Sequence, residues 1–385
     1  MEKNLLELIK ISRIVGRDSL LIQGGGGNTS VKTDDGKFMY IKASGTALAD
    51  MSTKTGWRRL KLESVLSIIK DKSIACLDVY SREIEVVSRL RLACDDRIKG
   101  HVRPSIESHL HAMLGKYVIH LHPAAVLAYA CAKGGNRRLQ KLFKNEKYPP
   151  VWVPYADPGF MLARRVMRLV EDYQKQFGLK PAILFLEKHG LLISTQNALA
   201  ALKLVQKVIK GCNNKLIQFK AVKSMLVNQQ AITYTKRCIR QAVLKVTGQK
   251  PLIYHFFDRN IAAFSAQAES KRLLSFGALT PDELLYANGP AMWVNKCDLG
   301  KIESKLIWQI KKGVKPAVAF LVEDVGLFIV GTKKMIPAIS EIVRNSFFIR
   351  TNANRIGGIS FLNKRQQGFI YNWEADAFRK RIAEG

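Results

Sequence analysis

Apolar side chains recur at helical spacing over Leu5–Val15, so the chain is expected to open on an amphipathic helix. Ser19–Gln23 reads as a short strand that runs into Gly24-Gly25-Gly26-Gly27-Asn28-Thr29-Ser30. Val31–Thr33 and Phe38–Lys42 flank Asp34-Asp35-Gly36, a hairpin signal, and Ala43-Ser44-Gly45-Thr46 forms a second polar turn. Helical patterns cover Leu62–Lys70 and Arg82–Cys94, and Pro104-Ser105 is placed to open and cap a helix over Ile106–Leu114. Further on, strands are predicted at Tyr117–Leu121, Val151–Pro154 and Ala182–Leu186, alternating with helices at Ala124–Cys131, from about Met161 to Phe177, and at Ala198–Cys212. A doubly wound parallel sheet would need regular βαβ alternation from the start. The early hairpin instead predicts an α/β layered domain with a largely antiparallel sheet.

A weak internal repeat follows. Lys180-Pro181-Ala182-Ile183-Leu184-Phe185-Leu186 is echoed by Lys315-Pro316-Ala317-Val318-Ala319-Phe320-Leu321, and Gly190-Leu191-Leu192-Ile193 by Gly326-Leu327-Phe328-Ile329, with one residue inserted between the blocks. Two buried strands can look alike by composition alone, but the shared start, end and continuation favour duplication. The second copy carries Glu323-Asp324-Val325 where the first has Glu187-Lys188-His189, so it has lost the histidine.

Composition narrows the class. The chain has 385 residues, which suggests about two domains. Its longest apolar stretches, such as Pro123–Ala132, fall short of the ~18 residues of a membrane span. No signal-peptide core can form among Glu2, Lys3, Glu7, Lys10 and Arg13, so a soluble, cytoplasmic protein without membrane association is expected. Cys76, Cys94, Cys131, Cys212, Cys238 and Cys297 form no CxxC pair and are expected to be reduced and mostly buried. The formal charge of +31 is carried in short clusters such as Lys311-Lys312 and Arg379-Lys380-Arg381, without any nucleic-acid-binding motif. A solvated basic surface is the simpler reading, and nucleic acid enters only as a non-specific partner.

The candidate chemistry is concentrated in few residues. His120 and His122 are two apart in a predicted strand and project from one face, while His189 lies at another strand end beside Gly190. Three imidazoles with an open fourth position suit catalytic zinc, although HxH alone is a common accident. Glu107 precedes them, with His111 one helical turn later, and a carboxylate near such a cation can move protons. Alternatively Glu107 is a helix-start carboxylate, with His109 and His111 on the surface. The glycine run with Asn28, Thr29 and Ser30 offers backbone N–H groups to a phosphate or carboxylate, but lacks the P-loop lysine and the GxGxxG spacing.

Together, Gly27-Asn28-Thr29-Ser30, Ser44-Gly45-Thr46, Pro104-Ser105-Ile106-Glu107 with His111, His120-Leu121-His122-Pro123 and Lys188-His189-Gly190 resemble the class II aldolase/adducin family over roughly residues 10–215. A closer likeness, to the aldolase half of bifunctional rhamnulose-1-phosphate aldolase/alcohol dehydrogenase proteins, is carried by Gly24–Val31, Val153-Pro154-Tyr155 with Pro158-Gly159-Phe160, and Leu279-Thr280-Pro281-Asp282. No dinucleotide fingerprint of a dehydrogenase half follows Asn372-Trp373-Glu374.

The resemblance implies a zinc-dependent (or other divalent-metal) cleavage of a small ketose 1-phosphate to dihydroxyacetone phosphate and an aldehyde. It implies His120, His122 and His189 as metal ligands, Glu107 as acid/base, and Gly27, Asn28, Ser44, Gly45 and Ser105 as the phosphate cradle. Tyr155 is the nearest candidate for a tyrosine assisting at the aldehyde oxygen, and Ile106 stands where many members carry a second serine. A homo-oligomer is expected, with residues 1–217 catalytic and 218–385 a degenerate aldolase-like module. The alternatives are a sugar-phosphate epimerase or dehydratase on the same scaffold, or a non-catalytic binding protein using the basic surface.

Overall fold

The computed structural model describes residues 2–96, 102–219 and 228–373. The basic cluster Arg379-Lys380-Arg381 and the side chain of Cys297 lie outside the described residues. Eleven strands are described: β1 Asn28–Lys32, β2 Phe38–Lys42, β3 Trp57–Lys61, β4 Tyr117–Leu121, β5 Val151–Val153, β6 Ile183–Leu186, β7 Gly190–Thr195, β8 Ile253–Phe256, β9 Met292–Val294, β10 Ala319–Val322 and β11 Gly326–Val330. The first seven form one sheet in the order β3-β2-β1-β4-β7-β6-β5, and the last four form a second in the order β8-β11-β10-β9. Every neighbouring pair is antiparallel except β5·β6 and β9·β10. The expected mixed α/β fold with a largely antiparallel sheet and a second module is what the chain forms.

Most predicted elements stand within a few residues of their expected bounds, with two informative exceptions. Ser19–Gln23 is not a strand; the strand begins only at Asn28, after the glycines, so Asn28, Thr29 and Ser30 belong to β1. The helix expected over Ile106–Leu114 is a short turn of helix, Ser108–Ala112, with Glu107 rather than Ser105 at its N-cap position. Ser105 instead accepts a hydrogen bond from the Glu107 N–H through Oγ (3.3 Å). Cys131 and Cys212 are buried, but Cys76 is exposed and Cys94 and Cys238 are half-buried, so the thiols are less uniformly internal than expected.

The second sheet repeats half of the first. The order β8-β11-β10-β9 matches β4-β7-β6-β5 strand for strand and sense for sense. The turn pairs Leu186 with Gly190 in one copy and Val322 with Gly326 in the other, and Lys188 and Asp324 both sit in the left-handed region with φ 57°. This register sets His255 opposite Phe328 as His120 is set opposite Leu192, and Val325 where the first copy has His189. The extra residue of the second copy is thereby absorbed ahead of β10, not between the sequence blocks. The copy has kept one histidine of three.

One apolar cluster joins the two sheets' layers. Leu127, Ala130, Cys131 and Ala132, from the helix Ala124–Ala130 and the residues after it, pack with Phe347, Ile349, Ala353 and Ile359. A bridge from Ala132 to Ile359 and the hydrogen bonds Lys133 N to Gly358 O and Ser360 N to Cys131 O stitch the seam. No helix among the described residues is long and apolar enough to cross a membrane.

Candidate metal centre

β4 is buried along its whole length, and its alternation points His120, with His122 just beyond the strand end, to one side. β7 lies antiparallel beside it, with Leu191 opposite Leu121, which brings the β6–β7 turn and His189 against the same end. Only glycine fits at position 190: a Cβ there would lie 2.3 Å from the Leu121 carbonyl oxygen and 2.8 Å from His122 Cδ2. The three imidazoles converge through their Nε2 atoms, 3.0 Å from His122 to His120 and 3.3 Å from His120 to His189. They form the one group of three or more potential metal-ligating side chains found among the described residues.

The donor set fits a cation. His120 Nδ1 donates to the Leu191 carbonyl (3.0 Å) and His122 Nδ1 to the Asp282 carboxylate, so both rings carry their proton on Nδ1 and aim the Nε2 lone pair inward. Burial pushes His120 well below its ordinary value and keeps it neutral. Facing lone pairs repel unless a cation lies between them. A tetrahedral zinc with bonds of ~2.0–2.1 Å would separate its nitrogens by about 3.3 Å, close to the observed spacing.

Glu107 reaches the same place from the other side. Its carboxylate oxygens lie 3.3 Å from His189 Nε2 and 3.6 Å from His120 Nε2, and Asn28 Nδ2 donates to Oε2 at 2.7 Å. β1 organises this arrangement. Asn28 pairs with His120 in register, and the same strand face presents Ser30 to His111 Nδ1 (2.8 Å) and Lys32 Nζ to the carbonyls of His111, Leu114 and Gly115 (3.0, 2.6 and 2.6 Å). Lys32 thus caps the carbonyl end of the short helix that carries Glu107, a role its sequence gives no sign of. His109 and His111, on that helix, are fully buried rather than on the surface.

The remaining expected residues divide into two groups. Gly27 has φ +79°, and a Cβ there would meet the His120 carbonyl oxygen at 2.7 Å, so it lies directly on β4. An isolated bridge between Ala43 and Pro104, with Ser44 N to Arg103 O (2.9 Å) and Ser105 N to Lys42 O (3.1 Å), aligns the Ser44-Gly45 turn with the Ser105–Glu107 loop. The glycine run is less open than expected: Gly24 N–H donates to the Glu341 carboxylate (2.8 Å) and Gly26 N–H to Gln23 O (2.9 Å). Tyr155 lines a separate pocket of about 180 Å³ with Asp157, Arg164, Arg165, Arg168 and Arg365, and its backbone N–H donates to Glu187. It is not brought to the imidazoles by any of these contacts. Asp282, hydrogen-bonded to His122 from 160 residues away, enters the sequence reading only within the Leu279–Asp282 likeness, which gave it no place in the site.

The model of the Class II Aldolase and Adducin N-terminal domain matches residues 6–216. The chain is 27% identical over 335 residues to "Uncharacterized oxidoreductase YuxG" of Bacillus subtilis (strain 168), an overlap of 82% of this chain and 46% of the relative. It therefore spans about half the length of that curated relative. Among solved structures, the N-terminal class II aldolase domain of a conserved protein from Thermoplasma acidophilum is 26% identical, covering 56% of this chain and 94% of that one with a TM-score of 0.45. L-fuculose-1-phosphate aldolase from Thermus thermophilus is 16% identical, covering 54% and 92% with a TM-score of 0.33.

Proposed function

The chain belongs to the class II aldolase and adducin family, and from that membership we propose a zinc-dependent lyase that cleaves a small ketose 1-phosphate to dihydroxyacetone phosphate and an aldehyde. The observation that carries the reading is the convergence of three inward-facing Nε2 atoms with the Glu107 carboxylate 3.3 and 3.6 Å from two of them. In this reading residues 1–217 form the catalytic unit and 218–385 its degenerate copy.

A divalent ion held by His120, His122 and His189 would supply Lewis-acid polarisation of the ketose oxygens. Glu107, as the acid/base, would take the proton released by the substrate hydroxyl that becomes the aldehyde oxygen and deliver it to the carbon freed when the carbon–carbon bond breaks, with both transfers reversed in the condensing direction. Asn28 fixes the Glu107 oxygen that does not face His189, so the carboxylate keeps one orientation through both directions. Gly27, Asn28, Ser44, Gly45 and Ser105 bind the substrate phosphate from the aligned turns beside β1, placing its reacting carbons over Glu107.

The test is an aldehyde-release screen over ketose 1-phosphates on the full chain, zinc-loaded and chelator-stripped. Cleavage of at least one phosphate by the loaded form only is expected, with metal lost in His120→Ala. Glu107→Gln should retain zinc while turnover falls ~10²–10⁴-fold. Zinc uptake without any aldehyde release would refute the lyase, and no uptake would refute the metal centre.

A further inference from the structure

We infer that Asp282 is a positioning residue for His122, so that the metal centre is completed by the second module. The inference rests on the tri-histidine centre proposed above, and concerns what holds it in shape. His122 lies just beyond the end of β4. Its Nδ1 is met by the carboxylate of Asp282, itself buried, and Gln23 Nε2 donates to the His122 backbone carbonyl at 2.7 Å. Gly26 leaves room for this pair: a Cβ there would stand 2.8 Å from His122 Nδ1 and 3.1 Å from Asp282 Oδ2. A carboxylate on the outer nitrogen of a ligating histidine fixes its tautomer and orientation and raises its basicity as a ligand.

The second module holds that carboxylate firmly. Asp282 is the second residue of the helix Pro281–Ala287, whose start is capped by Thr280 Oγ1 accepting from Glu283 N (3.1 Å). Next to it, Glu283 makes a fully buried ion pair with Arg350 (2.9 and 3.0 Å) and accepts from Leu279 N (2.6 Å). Position 282 is thus anchored in the core of a module that lies outside the residues matched by the family, 6–216. A carboxylate serving only the helix dipole would stabilise this helix and leave metal affinity unmoved.

Zinc affinity of the full chain, measured by competition with a chromogenic chelator, separates these roles. Asp282→Ala should bind ~10–100-fold more weakly than wild type, and Asp282→Asn, which can still accept from Nδ1, should lose less. The control is Glu341→Gln, which loosens the same seam at Gly24 without touching a histidine and should retain wild-type affinity. The cobalt-loaded visible spectrum should shift in Asp282→Ala and stay put in Glu341→Gln. If Asp282→Ala does not fold, the comparison is made with Asp282→Asn. Wild-type affinity in the Asp282 variants, or an equal loss in Glu341→Gln, overturns the positioning role and leaves the metal centre standing. Absence of zinc binding by the wild type removes the centre itself, and the positioning role with it.

Discussion

His109 and His111 are completely buried on the short helix Ser108–Ala112 that Glu107 precedes, and burial depresses them to about 4 and about 3 from an ordinary 6.5. Unfolding would let both rings take up protons as soon as pH falls below 6.5, while the folded chain refuses them. Their contribution to stability is therefore complete above pH 6.5 and drains away towards pH 4 for His109 and pH 3 for His111, on the order of a few kcal/mol. Thermal melts of the metal-free His120→Ala chain should fall steadily from pH 6.5 to 4, whereas a flat profile would contradict a buried neutral pair. The sequence shows these residues only as polar groups near a candidate carboxylate, which reads as readily as surface. The triad itself was legible, because a two-residue spacing in a strand and a glycine-flanked strand end constrain geometry locally. Asn28 against Glu107 and Asp282 against His122 are 79 and 160 residues apart, and only tertiary packing makes them neighbours.

The two copies of the strand–turn–strand unit offer an internal comparison at the scale of the element. In both, the glycine that opens the return strand lies on the neighbouring strand's carbonyl: Leu121 O for Gly190 at 2.3 Å, Phe256 O for Gly326 at 2.8 Å. Alanine at either position should lower stability by roughly 1–3 kcal/mol through overpacking. Gly190→Ala also pushes on His122, 2.8 Å away, and should release zinc, while Gly326→Ala should melt earlier with zinc affinity intact. Parallel measurement of melting temperature and zinc affinity checks the pair, and equal zinc loss in both would deny that the second turn is functionally silent. Element boundaries were readable where periodicity was strong, as in β2 and β4. They failed at β1, since four glycines followed by Asn, Thr and Ser carry turn chemistry while those polar side chains are in fact buried, Asn28 and Ser30 towards the site and Thr29 against Ser12 on the other face. β3, Trp57–Lys61, escaped notice because an edge strand can point Arg59 and Lys61 outward and so reads as a basic loop.

Removal of the second module tests the molecule as a whole. Sequence alone assigns residues 1–217 every proposed ligand and the proposed base, which would make the rest dispensable for metal binding. The packing argues otherwise on two counts. Leu127, Ala130, Cys131 and Ala132 lose Phe347, Ile349, Ala353 and Ile359 when the chain is cut, leaving a contiguous apolar patch of the kind that drives association. The same cut removes Asp282 from His122, so the ligand itself loses a fixed partner. A fragment of residues 1–217 is therefore expected to self-associate in gel filtration and to bind zinc more weakly than the full chain even where it stays folded. Salt should not rescue it, since screening weakens repulsion among the excess basic side chains and leaves the apolar patch uncovered. Adding residues 218–385 as a separate chain should recover part of the affinity, because the lost carboxylate returns with them. A monodisperse fragment with full-chain zinc affinity would show that the first module is sufficient, and that the seam serves neither solubility nor the site.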